Sequence, residues 1–330
     1  MRLNQRWFVW IILTICLLSI PVGVLTQNLG QASGTAKESA SDGSFLTKYK
    51  DRIEVIKLSG MIIEKADSGL LSSSTGSATS TLKDLRKAAK NDKVKAVLLR
   101  INSPGGTVPT SQEIYEAVKE LRKKGKPVVV SMGDMAASGG YYIACAADKI
   151  YANPGTLTGS IGVIMNLMNF KTLADKIGVE PDVVKSGLYK DIASPYHRMT
   201  KDERQILTDL IMDSYDQFTQ AVSEGRKLPI EEVKRIADGR VYSGRQALKL
   251  KLVDELGTYS DALNSLQKTC REKYHLKNDL AVEDAGSDNF LSSLLESNSL
   301  VPLQGKPDLT ELVPVDLTPA LTKQPLWLYR

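Results

Sequence analysis

The sequence predicts an α/β fold in which a mainly parallel sheet is flanked by helices and preceded by one transmembrane helix. Three observations predict this architecture. Residues 7–25 carry no charge, strand-like and helix-like segments alternate from residue 51 onward, and two glycine-rich loops follow strand-like segments. Alternation of this kind is typical of a parallel sheet, because each strand returns to the same edge through a helix.

The first element is the apolar run at residues 7–25, whose 19 residues are just long enough to cross a bilayer core as a helix. Arg2 and Arg6 precede it, so the positive-inside rule places residues 1–6 in the cytoplasm and the rest of the chain outside. A cleaved signal peptide is the alternative, but no good small-x-small site follows the run. We therefore expect an uncleaved, single-pass anchor in the cytoplasmic membrane.

Composition divides the remainder into three parts. Residues 26–50 are rich in Gln, Ser, Gly, Ala and Lys, which indicates a flexible linker, and residues 51–274 show the pattern of a folded domain. Residues 275–330 form a C-terminal extension. Its segment 287–330 contains five of the thirteen prolines and no long amphipathic period, so we expect an extended or partly ordered tail.

Within the folded part, the expected elements follow in chain order. Strands are predicted at 53–58, 94–101 and 127–132, and helices at 82–90 and 138–147. Two capping boxes, Thr110 with Glu113 and Thr200 with Glu203, predict the starts of two further helices, the second of them long.

Charge and residue counts exclude several classes of function. The formal net charge of +5 falls to +3 without the two arginines before the apolar run, which is too small for a dedicated nucleic-acid surface. Only two histidines are present, so a histidine-rich metal site is excluded. Cys145 and Cys270 form no CxxC motif, which argues against a zinc knuckle or a redox motif, and Cys145 is expected as a buried free thiol. We expect neither metal nor cofactor.

Two glycine-rich loops, at residues 102–107 and 135–140, carry the candidate chemistry. Sites in parallel sheets gather where strands end and helices begin. Glycine lets a backbone N–H approach a ligand closely, and a serine at a helix start, followed by glycine, suits a nucleophile whose neighbouring amides stabilise negative charge. Each loop alone is compatible with an ordinary tight turn, but the pair favours an active site.

These motifs resemble a known family. Asn-Ser-Pro-Gly-Gly at 102–106 followed by Ala-Ala-Ser-Gly at 136–139 resembles the paired motif of Clp-type peptidases in the crotonase-like superfamily. Together with the segments 158–163, 185–191 and 238–242, the chain resembles the signal peptide peptidase A family in its short, single-repeat form, over roughly residues 50–265. The resemblance implies a crotonase/Clp-like sheet of repeated ββα units and a serine endopeptidase.

The resemblance also implies roles for individual residues. Ser138 matches the nucleophile and Lys190 the general base, while the amides of Gly106 and Gly139 match the oxyanion donors. Ser160 matches a hydroxyl that orients the lysine. The loop that shapes the oxyanion hole corresponds to Ser103, Pro104 and Gly105.

A lysine base agrees with the scarcity of histidine, because a serine hydroxyl needs a base within hydrogen-bond reach. Lysine has a reference pKa of about 10.4, and burial would lower the pKa of Lys190 by disfavouring its charged form. Asp191 would oppose this, but neighbours in an extended segment point to opposite faces, so we expect it to face away. His197 is the alternative base, although its polar loop before a capped helix argues against it.

The expected function is a membrane-anchored endopeptidase whose catalytic domain lies outside the cytoplasm. The resemblance implies short hydrophobic substrates such as cleaved signal peptides, and a homo-oligomeric ring in which neighbouring protomers supply Ser138 and Lys190. A crotonase-type acyl-CoA enzyme is one alternative, which extracytoplasmic placement disfavours. A non-catalytic membrane scaffold of the same fold is another.

The tail carries a separate hypothesis. Residues 291–330 combine several leucines with scattered prolines, and apolar extended peptide is what a hydrophobic peptide groove binds by strand addition. We predict that the tail can occupy the substrate groove and be trimmed there, the alternative being a disordered or surface-packed tail.

Overall fold

A computed structural model describes residues 50–64 and 76–285 and the backbone of residues 326–328. The predicted anchor at 7–25 and almost all of the predicted linker lie outside the described residues. Within the described parts, no helix combines the length and the apolar character that a membrane crossing requires.

Ten strands and eight helices are described in these parts of the chain. The strands are β1 (Arg52–Ser59), β2 (Val94–Ser103), β3 (Gly105–Thr107), β4 (Val128–Ala137), β5 (Lys149–Ala152), β6 (Leu157–Gly159), β7 (Val241–Ser243), β8 (Glu255–Leu256), β9 (Ala281–Asp284) and β10 (Leu326–Leu328). The helices are α1 (Ala78–Lys90), α2 (Val108–Lys123), α3 (Gly139–Ala144), α4 (Lys171–Ile177), α5 (Lys201–Arg226), α6 (Ile230–Ile236), α7 (Gly244–Lys249) and α8 (Tyr259–Tyr274).

The main sheet has eight strands in the order β7-β6-β4-β2-β1-β9, with β5 pairing with both β4 and β8. Every pairing in it is parallel except that of β6 with β7. The predicted α/β fold with a mainly parallel sheet is therefore confirmed. β3 lies outside this sheet and pairs with β10.

The central strands are buried on both faces, as expected for parallel strands covered by helices. Successive side chains of β1 alternate between two cores: Ile56 and Leu58 belong to the larger one, with α1 and α2. Ile53 and Val55 belong to the smaller one, where they pack with Leu266 of α8. This two-sided burial fixes the strand ends that carry the glycine-rich loops.

One of the two predicted capping boxes is confirmed. Thr200 Oγ1 accepts a hydrogen bond from the amide of Glu203, and the Glu203 carboxylate accepts one from the amide of Thr200. The prediction for Thr110 and Glu113 is wrong, because α2 begins at Val108 with Thr107 as its N-cap. Pro109 explains the earlier start, since proline has no N–H to satisfy and its φ suits the first turn of a helix.

The main sheet also uses a strand from the C-terminal extension. β9 pairs in parallel with β1, and Arg52 of β1 forms an ion pair with Glu283 of β9, with 2.9 Å between Nε and the carboxylate. The strand at the edge of the sheet therefore comes from beyond residue 274.

Candidate active site

Ser138 occupies the turn between β4 and α3. Its φ of 53° and ψ of −120° lie in a region that residues with a side chain rarely adopt, and such conformations collect at active sites. Its amide donates to the Gly159 carbonyl at 2.8 Å. Its Oγ is buried and has no hydrogen-bond partner among the described residues. The turn thus holds a buried hydroxyl that makes no hydrogen bond to the described residues.

The two glycine-rich loops lie against each other. A Cβ on Gly139 would lie 3.3 Å from the Gly106 nitrogen, and one on Gly140 would lie 3.2 Å from the Ser103 carbonyl oxygen. The pairing of Ser103 of β2 with Ala136 of β4 brings the two strand ends together. The predicted convergence of the loops is therefore present in the structure.

The backbone of Ile62 orients the strand that contains Gly106. The Ile62 amide donates to the Gly105 carbonyl, and the Thr107 amide donates to the Ile62 carbonyl, each at 2.8 Å. Because N–H and C=O groups alternate between the two edges of a strand, those of Gly106 face the edge away from Ile62. A Cβ on Gly106 would lie only 1.9 Å from the Ile62 oxygen, so this position requires glycine.

The loop before β3 is held by its own serine. Ser103 is buried, and its Oγ accepts a hydrogen bond from the Gly105 amide at 3.1 Å. Pro104 links β2 to β3, and Gly105 has a φ of 108°, which is open to glycine and strained for other residues. The three predicted loop residues together position Gly106 beside Gly139.

Ser160 lies next to this site and Lys190 lies apart from it. Ser160 is buried and follows β6, whose last residue Gly159 pairs with Ala137 of β4. Lys190 is exposed, in a turn-rich segment. Since Ser138 Oγ has no partner among the described residues, the single chain does not join Ser138 to Lys190 by a hydrogen bond. The other predicted site residues lie in the two glycine-rich loops or, in the case of Ser160, directly after the strand that pairs with β4.

Comparison with known proteins identifies the family. The model of peptidase family S49 matches residues 120–272, and the Clp protease model matches residues 69–158. A candidate protease of Synechocystis sp. is 40% identical over 87% of this chain and 99% of its own length. The chain belongs to peptidase family S49.

Other relatives carry related names. A candidate signal peptide peptidase A of Enterococcus faecium is 40% identical over 65% of this chain and 63% of its own length. Protease 4 of Haemophilus influenzae is 36% identical over 81% of this chain and 43% of its own length. These matches confirm the resemblance to signal peptide peptidase A, and the mixed sheet with flanking helices agrees with a Clp-protease-like fold.

In this S49 peptidase, Asp191 makes its contacts away from the candidate base. Residues 188–193 form turns, so the expectation of an extended segment is wrong. The Asp191 carboxylate accepts a hydrogen bond from Lys185 Nζ at 2.7 Å, and this bond lowers the pKa of Asp191 below its usual value. The Asp191 carboxylate is therefore paired with Lys185, and it also lies 3.7 Å from His197 Nε2.

His197 is engaged in the same segment. Its Nδ1 lies 3.0 Å from the Arg198 carbonyl oxygen and its Nε2 lies 3.2 Å from that of Asp191. Hydrogen bonds to these two carbonyls raise the pKa of His197, and the carboxylates of Glu203 and Asp191 add to the effect. Both ring nitrogens face acceptors, so His197 has no free nitrogen to serve as the base for Ser138.

Asp191, His197 and Glu203 also form a cluster, with potential ligand atoms within 4.8 Å of one another. Contacts within the described chain explain why these three side chains lie together. Glu203 closes the cap of α5, and His197 bridges the backbone on either side of the turn. We assign the cluster a structural role, which is to tie the Lys190 segment to the start of α5.

Sequence reasoning missed two residues that shape the site. Ser111 is fully buried, and its Oγ donates a hydrogen bond to the Thr107 carbonyl at 2.9 Å. A Cβ added to Gly139 would lie only 2.5 Å from this oxygen, so Ser111 packs directly against Gly139. The sequence feature that could have identified Ser111 is its position on the apolar face of α2, midway between Val108 and Ile114. Ile62 acts through its backbone alone, which leaves no sequence signal.

The strain at Ser138 leads to a stability prediction. Both Ser138→Gly and Ser138→Ala remove the hydroxyl, but only glycine relieves the positive φ, so the glycine variant should be the more stable by about 1 kcal/mol. Denaturant unfolding measures the difference. At Ser131 in β4 the order should reverse, because glycine weakens a strand interior. Equal stability of the two Ser138 variants would contradict a strained turn.

Proposed function

We propose that this S49 peptidase is a membrane-anchored serine endopeptidase in which Ser138 is the nucleophile and Lys190 the general base. Its substrates are short hydrophobic peptides, such as cleaved signal peptides, at the outer face of the cytoplasmic membrane. The observation that carries the proposal is the buried Ser138 hydroxyl, which has no partner in the described chain and lies beside the backbone of Gly106 and Gly139.

The chemistry follows from these groups. Ser138 Oγ attacks the substrate carbonyl carbon and gives its proton to the neutral amine of Lys190. The amides of Gly106 and Gly139 donate hydrogen bonds to the resulting oxyanion. Lys190 then protonates the leaving amine, and afterwards it accepts a proton from the water that hydrolyses the acyl-enzyme.

A second subunit is the proposed source of Lys190. The segment around it exposes large apolar side chains, of which the following are more than half exposed: Met168, Leu173, Ile177, Val183, Val184 and Leu188. Apolar surface of this kind is typical of protein–protein contacts. Contact with a neighbouring protomer would also remove Lys190 from water, and desolvation favours the neutral amine that the reaction needs. A homo-oligomeric ring would repeat this arrangement.

The N-terminal sequence supports action close to the membrane. The uncharged run at 7–25 is long enough for an anchor, and the 25 residues of linker-like composition that follow it would span roughly 25–30 Å as a flexible coil. A tether of that length would hold the domain near the membrane surface, close to cleaved signal peptides. The name of the Enterococcus faecium relative supports the same substrate class.

Full-length protein in detergent micelles provides the test. We expect it to cleave a quenched fluorescent peptide with a signal-peptide-like apolar core, and Ser138→Ala protein to leave that peptide intact. An acyl-CoA thioester serves as the comparison substrate. Turnover of the thioester without peptide cleavage would favour a crotonase-type enzyme, and turnover of neither substrate would favour a scaffold.

A shared site makes a prediction for mixtures of inactive variants. Ser138→Ala and Lys190→Ala proteins should each be inactive, and an equal mixture should recover activity after subunit exchange. Random exchange places an intact serine opposite an intact lysine at about a quarter of the interfaces, which sets the expected recovery. Two differently tagged variants verify that exchange has occurred. Exchange without recovery would contradict a shared site and favour one within a single chain.

A further inference from the structure

Positive charge is concentrated at the amino end of the main sheet. The stretches 50–51, 90–95 and 123–126, together with Lys273, contain eight lysines and two aspartates, a net charge of +6, whereas the whole chain carries only +5. We call this set of lysines the basic end. They lie where β1, β2 and β4 begin and where α1, α2 and α8 finish: Lys50, Lys90, Lys93, Lys95, Lys123, Lys124, Lys126 and Lys273.

Contacts between the helix ends bring these stretches together. Lys126 Nζ donates hydrogen bonds to the carbonyls of Ala88 and Asn91, each at 2.7 Å, which joins the start of β4 to the end of α1. A Cβ on Gly125 would lie 3.8 Å from Lys273 Nζ. The last turn of α8 therefore lies against the turn between α2 and β4.

The starts of the strands complete the basic end. The Asp51 carboxylate lies 3.8 Å from Lys93 Nζ and 3.5 Å from Lys95 Nζ. Lys95 Nζ also lies 5.9 Å from the centre of the Tyr274 ring, whose hydroxyl donates to the Gly125 carbonyl at 3.2 Å. One carboxylate thus faces two ammonium groups, and the positive charge exceeds the negative charge around it.

The charges are close enough to act on one another. Lys126 is buried, and burial lowers its pKa. Asp92 opposes this effect, while the nearby ammonium groups of Lys124 and Lys95 lower the pKa of Lys126 further. The only other carboxylate paired with Lys124 among the described residues is that of Glu120, at 3.0 Å.

Helix ends explain only part of this charge. Lys90 and Lys123 are the last residues of α1 and α2, where a cation is favourable to the helix dipole. Lys50, Lys93 and Lys95 lie before or at the start of strands, so no helix dipole accounts for them. Because like charges repel and oppose the compact state, an anionic partner would stabilise this end of the domain.

The chain that leads to the proposed anchor enters the domain at this same end. Residues 26–50 have the composition of a linker, and the exposed Lys50 lies two residues before β1. Lysine clusters that adjoin a membrane anchor are attracted by anionic head groups. That attraction acts within a Debye length, about 8 Å at physiological ionic strength.

We propose that the basic end docks on the anionic phospholipid head groups of the membrane to which the chain is anchored. The proposal rests on the membrane anchor of the proposed function and adds a partner and an orientation for the domain. β2 runs from the basic end to the loop before Gly106 over ten residues, which corresponds to about 30 Å. Docking therefore leaves Ser138 and the glycine-rich loops free of lipid and open to peptides.

Lysine footprinting of full-length protein in nanodiscs tests the docking. An amine-reactive acylating reagent is applied, and mass spectrometry gives the modification rate of each lysine. In nanodiscs that contain phosphatidylglycerol, Lys93 and Lys123 should react at least about threefold more slowly than in pure phosphatidylcholine, and salt of about 1 M should abolish the difference. Lys83 should react equally in both, because it lies about 10 Å along α1 from Lys90.

Charge reversal provides matched variants. Lys90→Glu combined with Lys93→Glu should abolish the lipid-dependent protection of Lys123. Lys83→Glu combined with Lys249→Glu changes the net charge by the same amount, but on the first half of α1 and on α7, so it should keep that protection. Both double variants should cleave a short soluble peptide at the wild-type rate, because none of the four lysines lies in the glycine-rich loops.

The footprint separates this proposal from the peptidase function. Ser138→Ala protein should give the wild-type footprint, and lipid-dependent protection in a protein that cleaves no peptide would support docking while contradicting the peptidase function. Equal protection in neutral and anionic nanodiscs would overturn docking on lipid and assign the basic end to contacts between subunits. Protein held in nanodiscs without protection would overturn docking alone, and protein that does not enter nanodiscs would overturn the anchor as well.

Discussion

Replacement of Ser138 by alanine is expected to lower kcat for peptide cleavage by at least about 10⁴-fold, the scale on which the loss of a nucleophile acts. The reason is local, because alanine keeps the Cβ and the strained turn and removes only the hydroxyl, which has no partner among the described residues. Lys190→Ala should cause a similar loss. Since the two residues act as a unit, the double variant should be hardly worse than either single one.

A matched serine supplies the control for this prediction. Ser214 is buried in α5 and its hydroxyl donates only to the Leu210 carbonyl of the preceding turn, at 3.2 Å. Ser214→Ala should therefore leave kcat within about twofold of wild type, as expected for a substitution away from the catalytic unit. A Ser138→Ala protein that kept more than about a tenth of wild-type kcat would lose its role as nucleophile.

Gly106→Ala is expected to have the second largest effect. The added Cβ would lie 1.9 Å from the Ile62 oxygen and 2.4 Å from its carbonyl carbon. Both atoms belong to the backbone, so β3 itself must move, and the Gly106 amide moves with it. Loss of one oxyanion donor lowers kcat by about 10²–10³-fold, and overpacking lowers the free energy of unfolding by about 1–3 kcal/mol.

Gly225→Ala separates these two effects. A Cβ there would lie 2.1 Å from the Cys145 carbonyl oxygen, which is comparable crowding outside the glycine-rich loops. We expect a similar loss of stability with kcat per folded molecule retained. Equal kcat losses in Gly106→Ala and Gly225→Ala would mean that the Gly106 effect is one of folding and not of oxyanion stabilisation.

The central strands could be predicted from sequence because β1, β2 and β4 are rich in apolar residues, which are buried in the cores on the two faces of the sheet. The start of α2 could not, since Thr110 and Glu113 have the spacing of a capping box while Pro109 allows an earlier start. β3 has no side-chain pattern to detect. Its three residues Gly-Gly-Thr form a strand because they pair with β10 and also hydrogen bond to the backbone of Ile62.

Some features of the candidate site could also be predicted from sequence, and others depend on the folded structure. Ends of parallel strands meet at one edge of a sheet, which is why the convergence of the two glycine-rich loops was predictable. The positive φ of Ser138 and the buried contact of Ser111 with Gly139 depend on the packed structure. Lys190 lies in an exposed turn segment of the described chain, and the proposed supply of this residue by a neighbouring subunit would depend on contacts that no local pattern encodes.

For the C-terminal tail, composition predicts the type of segment but not which residues pair with the domain. Leucines and prolines in residues 291–330 predict an extended segment suited to a peptide groove, and this stays a prediction because the structure describes only the backbone of Leu326–Leu328 in that range. They could not indicate that the paired residues are Leu326–Leu328, because an antiparallel register is set by the partner strand.

Covalent labelling tests the central claim, that Ser138 is the nucleophile of a serine peptidase, most directly. Full-length protein is treated with a fluorophosphonate probe, with and without a competing hydrophobic peptide, and the modified residue is located by peptide mass spectrometry. We predict an adduct on Ser138 that the peptide suppresses. An adduct on a different serine, or an unlabelled Ser138 in a preparation that cleaves peptides, would contradict the assignment.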